Sequence, residues 1–170
     1  MTHEHRDHNA VEVIDGEPAL VRSVAGTHSS PLGDVVAVAS EHDGAAGTER
    51  VPNTIVVFDL DGLRVAHFGD FGQAALRPER RARLDGIDLL FIPVGGGPTI
   101  DGAAAAAIAK DLAPSWAVPT HYKTERVNFL DTEEAFVDAM PRTERLAAPS
   151  FDTGDLEKGS EPLVVVPAAP

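Results

Sequence analysis

The sequence predicts an α/β (or α+β) domain in which sheets are flanked by helices. The first half of the chain contains short apolar runs separated by turn residues, as strands do. In the second half such runs alternate with segments typical of helices. The chain has 170 residues, 43% of them hydrophobic, which suits one domain with a buried core.

The first half of the chain is predicted to consist mainly of strands. Two short apolar runs, residues 11–14 and 19–24, have the composition of strands, although the first could instead be the end of a helix. Residues 27–33 are expected to form a loop, and the β-branched run 34–40 is expected to form a strand. A second loop, rich in Gly and Pro, is expected over residues 44–53.

The centre of the chain carries a strong signal for a β-hairpin. Asp61-Gly62 separates the apolar runs 54–60 and 63–68, and this dipeptide supplies the positive φ angles of a type I′ turn. The elements that follow are predicted in this order: helix 78–84, strand 88–94, an Ala-rich helix that Asp101 caps and that ends at Leu112, strand 115–118, a helix between Thr132 and Pro141, and strand 161–166. We expect one domain over residues 1–166 and a frayed tail over residues 167–170.

Charge and composition disfavour several classes of function. The chain has 14 basic and 27 acidic residues, a net charge of −13, which argues against a nucleic acid or an anionic membrane as the partner. The longest apolar stretch is residues 103–109, whereas a membrane-spanning helix needs about 20 residues. The N-terminus lacks the apolar core of a signal peptide, so we expect a soluble, cytoplasmic protein that acts on a small molecule. The sequence does not indicate the oligomeric state.

The N-terminal residues form the densest chemical cluster of the chain. Because there is no cysteine, a metal site must use His and carboxylate ligands, and the pattern His3-x-His5-x-Asp7-His8 supplies four. Alternate residues of an extended segment point to one side, so His3 and His5 can bind one ion together. A turn after them can direct Asp7 and His8 at a second ion. The alternative is a purification-tag remnant or a solvated polar N-terminus.

Three further residues lie where a predicted strand ends and a loop begins, namely His42, Asp70 and His121. Loops at one edge of the sheet converge in α/β proteins, and active sites gather there. Each residue alone is more often an ordinary core or surface residue. Together with the N-terminal cluster, they favour a metal site.

In this order the motifs resemble those of the metallo-β-lactamase-fold hydrolases. The family's hallmark HxHxDH is matched by His3, His5, Asp7 and His8, and its later elements by His42, by Asp70 in HFGDFG and by His121 in PTHYKT. With PVGGGPTID, these segments are most similar to the small branch that includes the ascorbate-phosphate lactonases and many uncharacterised metal-dependent hydrolases. The resemblance runs from residue 2 to about residue 125.

The resemblance implies an αββα sandwich with two divalent metal ions. The implied ligands are His3, His5 and His42 for the first ion, Asp7, His8 and His121 for the second, and Asp70 as the bridge between them. Zinc is the expected metal, with manganese or iron as alternatives. Family members place strands before HxHxDH, whereas only two residues precede it here, so we expect a sandwich truncated at its N-terminus.

The function implied is a metal-dependent hydrolase of a small ester, lactone or phosphate-containing substrate. Metal binding can lower the pKa of water to about 7, which makes hydroxide available for attack on a carbonyl or phosphoryl centre. Asp7 is the expected catalytic residue, because it can accept and move the proton. The alternatives are a phosphodiesterase or nuclease of the same fold, which the acidic charge disfavours, and an inactive truncated remnant.

Three residues near the expected site are candidates for contact with substrate or for support of the ligands. His67 could do either, and a packed strand residue is the alternative. Tyr122 and Lys123 adjoin a candidate ligand and could orient an anionic substrate, or could simply be solvent-exposed. The chain has one basic run, which is expected to be a solvated helix face: Arg77, Arg80, Arg81 and Arg83.

Overall fold

The apolar runs of the chain form the strands of one sheet. The computed structural model describes residues 1–5, 10–17, 20–43 and 51–169. Eight strands in these ranges are β1 (Gly26–Ser30), β2 (Gly33–Glu41), β3 (Pro52–Leu60), β4 (Leu63–His67), β5 (Leu89–Pro93), β6 (Trp116–Thr120), β7 (Arg142–Arg145) and β8 (Leu163–Val166). Their order in the sheet is β1-β2-β3-β4-β5-β6-β8-β7.

The sheet has an antiparallel half and a parallel half. Strands β1 to β4 form an antiparallel meander, and the pairs β4–β5, β5–β6, β6–β8 and β7–β8 are parallel. The predicted hairpin is confirmed, because Leu60 pairs with Leu63 and the turn residues Asp61 and Gly62 have φ angles of 50° and 79°. It follows that β2, β4, β5 and β6 all end at the same edge of the sheet, which is also where β3 begins.

Helices cover one face of the sheet. They are α1 (Pro78–Arg81), α2 (Gly102–Leu112) and α3 (Glu134–Ala139), and two short 3-10 helices lie at Val11–Val13 and Thr153–Asp155. Helix α2 begins as predicted, since the Asp101 carboxylate accepts a hydrogen bond from the Ala104 amide at 2.8 Å. No helix in the described part of the chain is long and apolar enough to cross a membrane.

Two apolar clusters form the core, one on each face of the sheet. Because neighbouring residues of a strand face opposite ways, Leu90 and Ile92 of β5 belong to the cluster under α2 and α3, while Leu89 belongs to the other. That first cluster also holds Phe136 of α3, which is fully buried. The α/β class is confirmed, and the described strands join in a single hydrogen-bonded sheet.

The structure differs from the sequence prediction mainly at strands that pair through backbone hydrogen bonds and have few apolar side chains. Strand β1 overlaps the expected loop 27–33, and β7 was not predicted. Neither strand contains a large apolar residue, so neither shows alternating hydrophobicity. Residues 20–24 form no strand, the run 11–14 contains a 3-10 helix, and α1 is shorter than the expected 78–84. Residues 44–50 of the second expected loop lie outside the described residues.

Candidate metal centre

Four candidate ligands from three parts of the chain meet at the edge of the sheet where β2 and β4 end. One ligand atom from each of His3, His5, His42 and Asp70 lies within 4.8 Å of the others. The ring centroids of the three histidines are 4.9 to 5.1 Å apart. All but His5, which is half-buried, are buried. This is the convergence expected from strand ends that share one edge.

The N-terminal segment reaches the site because it is hydrogen-bonded to β3. The carbonyl oxygen of Thr2 accepts from the Thr54 amide at 2.8 Å and from the Thr54 hydroxyl at 3.0 Å. The Thr2 hydroxyl in turn lies 3.0 Å from Nδ1 of His3. These contacts place His3 with its Nε2 atom 3.5 Å from Oδ2 of Asp70.

His42 is held by a backbone carbonyl at one nitrogen and faces Asp70 with the other. Its Nδ1 lies 3.0 Å from the carbonyl oxygen of Pro98, which can only accept, so Nδ1 carries a proton. Its Nε2 lies 3.1 Å from Oδ2 of Asp70 but makes no hydrogen bond within the described residues. A lone pair this close to a carboxylate is repulsive unless a proton or a cation lies between them.

The pKa of His42 also depends on the nearby Asp70 carboxylate. Burial lowers the pKa of the imidazole, but the Asp70 carboxylate and the Pro98 carbonyl raise it, and the net direction is upward. The Asp70 carboxylate and the Pro98 carbonyl therefore stabilise positive charge at this imidazole.

Asp70 is positioned by a tight turn and by a buried asparagine. A Cβ on Gly69, whose φ is 57°, would lie 2.5 Å from Cβ of Thr2, so only glycine allows this approach. The Asn53 side chain accepts from the Asp70 amide at 3.3 Å, and it donates to the Phe68 carbonyl and the Ser40 hydroxyl at 2.8 Å each. Sequence reasoning missed Asn53, whose only signal is an amide beside an apolar run.

His121 follows β6 and approaches Asp70 from the parallel half of the sheet. Its Nε2 lies 3.6 Å from Oδ2 of Asp70, and its φ of 51° is unusual for a residue other than glycine. The Gly95 amide donates to the His121 carbonyl at 3.0 Å, and a Cβ on Gly95 would lie 2.2 Å from that oxygen. The glycine-rich turn after β5 thus lets two backbones touch.

Two of the predicted ligands, Asp7 and His8, lie outside the described residues. Five of the seven are therefore placed, and the four histidines among them lie around the Asp70 carboxylate. The second predicted ion rests on Asp7, His8 and His121, of which only His121 is described, and it stays a prediction.

The three candidates for substrate contact or ligand support have different surroundings. His67 stacks on Phe91, with ring centroids 5.7 Å apart, and its Nδ1 accepts from the Gly69 amide at 3.0 Å, so it supports the turn before Asp70. Tyr122 is half-buried, and burial together with the nearby Glu133 carboxylate raises the pKa of its hydroxyl. Lys123 is exposed. A contact between any of them and substrate stays a prediction.

The basic run is not simply a solvated helix face. Arg80 is mostly buried and donates to Glu41, the residue before His42, with both terminal guanidinium nitrogens. The Nη2 to Oε1 distance is 2.6 Å. The hydrogen bond from Arg80 lowers the pKa of the Glu41 carboxyl. This buried ion pair anchors the end of β2, while Arg77 and Arg83 are exposed.

The donor set fits a divalent transition metal. Imidazole nitrogens and one carboxylate are the ligands that zinc, manganese and iron accept. The carbonyl that fixes His42 from behind is the usual arrangement around a metal-binding histidine, because it leaves the other nitrogen free to coordinate.

Comparisons with known proteins identify relatives of the chain. The profile of the family described as "Beta-lactamase superfamily domain" matches residues 1–121. A UPF0173 protein of Pyrococcus abyssi is 30% identical over 146 residues, 73% of this chain and 65% of its own length. A UPF0173 metal-dependent hydrolase of Bacillus licheniformis is 27% identical over 170 residues, 83% of this chain and 73% of its own length. The chain thus spans about two thirds to three quarters of these relatives.

A solved structure has the same fold over almost the whole chain. It is a crystal structure from Thermotoga maritima, described as a candidate Zn-dependent hydrolase of the metallo-β-lactamase superfamily. The TM-score is 0.78 and the sequence identity 29%, over 97% of this chain and 78% of that chain.

Proposed function

The chain belongs to the β-lactamase superfamily domain family, and from that premise we propose that it is a metal-dependent hydrolase. The observation that carries the proposal is the cluster of His3, His5, His42 and Asp70, whose ligand atoms lie within 4.8 Å of one another. Relatives from Bacillus licheniformis and Thermococcus kodakarensis carry the name metal-dependent hydrolase, which supports it.

The finer proposal is a centre for two divalent ions, with zinc as the metal. His3, His5 and His42 would hold the first ion, His121 would hold the second with Asp7 and His8, and Asp70 would serve both. When bound, such ions lower the pKa of water and stabilise an oxyanion on the substrate.

The protein's own groups orient the ligands and move the proton. The Pro98 carbonyl keeps the His42 proton on Nδ1 and directs Nε2 at the centre. Asn53 and Gly69 hold the turn that presents the Asp70 carboxylate. Asp7 accepts the proton that is released from water. The substrate is a small ester, lactone or phosphate-containing molecule, since a net charge of −13 repels a polyanion.

The test is chelation and reconstitution of the full chain. Activity on p-nitrophenyl acetate and bis-p-nitrophenyl phosphate is measured before EDTA, after EDTA and after zinc is restored. We expect hydrolysis of at least one compound to be lost with chelation and regained with zinc. His42→Ala removes a candidate ligand and abolishes the recovery, whereas His28→Ala, which alters a half-buried histidine of β1 outside the cluster, retains it. Hydrolysis that EDTA or His42→Ala leaves unchanged contradicts the proposal.

A further inference from the structure

A groove of about 480 Å³ opens beside the candidate metal centre, within the usual size range of small-molecule sites. His121 forms part of its wall, and the same imidazole lies 3.6 Å from Asp70. A molecule whose reacting carbonyl lies at the centre can therefore place an adjoining group in the groove. The groove and the candidate centre share this one residue.

The groove is apolar and uncharged. Nine of its twelve described lining residues are apolar, among them Val118, Val127 and Leu130, and none is Lys, Arg, Asp or Glu. A charged group would lose hydration there without gaining a partner. The polar side chains of the lining are those of His121, Tyr122 and Thr124, and the Thr124 hydroxyl already accepts from the Val127 amide at 3.2 Å. The lining favours an uncharged apolar group.

Phe129 lies at the rim with most of its ring in solvent. It is 76% exposed, while the other phenylalanines of the chain are buried or half-buried. The loop that carries it is held by backbone hydrogen bonds, from Lys123 to Asp131 and from Thr124 to Val127, each 2.9 Å long. The ring is thus presented by an ordered loop, and it gains burial when an apolar group fills the groove.

We propose that the groove binds the hydrocarbon acyl chain of a small uncharged carboxylic ester or lactone. This inference rests on the proposed hydrolase function and narrows its substrate class. In the reaction the oxygen of water bonds to the carbonyl carbon, and the carbon–oxygen bond to the alcohol breaks. The alcohol oxygen takes up a proton, and the acyl chain leaves as a carboxylic acid.

The first experiment compares esters that differ only in the acyl chain. With the zinc-loaded full chain, kcat/KM for p-nitrophenyl hexanoate is expected to exceed that for the acetate about tenfold or more, because four additional methylenes are buried. Phe129→Ala is expected to reduce this ratio several-fold, mainly through KM for the hexanoate. The matched control is Leu32→Ala, which removes an exposed leucine of the β1–β2 turn and is expected to leave the ratio unchanged.

A second measurement reads binding without turnover. Neutral 2-octanone, titrated against acetone as the control, is expected to shift the NMR methyl signals of Val127 and Leu130. Equal kcat/KM for the two esters, or no methyl shift with 2-octanone, overturns the groove inference. The hydrolase proposal still stands in that case if the acetate is hydrolysed. If the zinc-loaded protein hydrolyses none of the esters and phosphodiesters, the hydrolase proposal is overturned, and the groove inference with it.

Discussion

At the scale of single residues, the Pro98 carbonyl decides which nitrogen of His42 carries the proton. A carbonyl oxygen at Nδ1 fixes the proton there, so Nε2 meets the Asp70 carboxylate with a lone pair unless a cation intervenes. The carboxylate oxygen and the imidazole lone pair are so close that they repel each other unless a positive charge lies between them. His121, the candidate ligand that lies farthest along the chain, faces the same carboxylate oxygen.

We predict that His121→Ala lowers the metal content of the protein and abolishes turnover while the fold persists. The imidazole adds a nitrogen ligand 3.6 Å from the Asp70 carboxylate, and its loss leaves the second ion with fewer donors. Metal content is measured by mass spectrometry and the fold by circular dichroism. His28→Ala is the matched control, and unchanged activity in His121→Ala shows that the site is wrongly assigned.

Asn53→Ala is expected to weaken metal binding although Asn53 is not itself a ligand. The substitution removes the acceptor for the Asp70 amide and leaves buried groups of Ser40 and Phe68 without their donor. We expect about 2 kcal/mol lower free energy of unfolding and at least about tenfold weaker zinc binding. Asn128→Ala, at an exposed asparagine, should change neither. Zinc affinity equal to that of the unaltered protein rules out the positioning role.

The cluster of candidate ligands could be predicted from the sequence because each described member belongs to a local pattern, a spacing or a strand end. Asn53 could not, because its role arises only when β3 begins at the edge where β4 ends. Backbone acceptors such as Pro98 leave no pattern of side chains to detect.

At the scale of elements, the loops between strands fix the distances in the site. Gly95, after β5, lies against the backbone of His121, after β6. The hairpin and helix α2 could be predicted from turn and cap chemistry. Strands β1 and β7 could not, because their pairing depends on backbone hydrogen bonds with little apolar alternation.

Gly95→Ala is therefore expected to displace His121. The added Cβ would lie 2.2 Å from the His121 carbonyl, so one of the two loops must move. We expect a loss of about 1–3 kcal/mol in stability together with reduced metal content. Gly154→Ala, in a 3-10 helix with a normal φ, serves as the control. Full metal content in Gly95→Ala contradicts the role assigned to this contact.

A carboxylate at the start of β5 links it to β4 and makes stability depend on pH. Asp88 accepts from the Arg64 amide at 3.0 Å and from Nζ of Lys158 at 3.2 Å, and these contacts, the amide first, lower the pKa of its carboxyl. A depressed pKa means that the stabilisation is present above the unfolded pKa, near 3.8, and is lost as the pH falls through the folded pKa.

Asp88→Asn should thus cost about 1 kcal/mol of unfolding free energy at pH 6.5 and progressively less as the pH falls below 3.8. Urea denaturation at both ends of that range measures the difference. Glu125→Gln, at an exposed carboxylate, is the matched control. A cost that is the same at low pH contradicts the ionic origin of the effect.

At the scale of the whole molecule, the net negative charge of the protein contrasts with the imidazole-rich candidate metal centre. The net charge of −13 repels polyanions, whereas the edge of the sheet concentrates imidazoles around one carboxylate. An uncharged groove beside them suits a small neutral substrate. The fold class could be predicted from alternating elements, but the groove could not, since its walls come from β6, from loops and from a C-terminal segment that meet only in three dimensions.

The most direct test of the central claim is native mass spectrometry of the folded full chain titrated with zinc. We expect two zinc ions per chain at saturation and loss of binding in His42→Ala, with His28→Ala unaffected. A folded, monodisperse protein that binds no zinc, or that binds the same number of ions after His42→Ala, contradicts the metal centre.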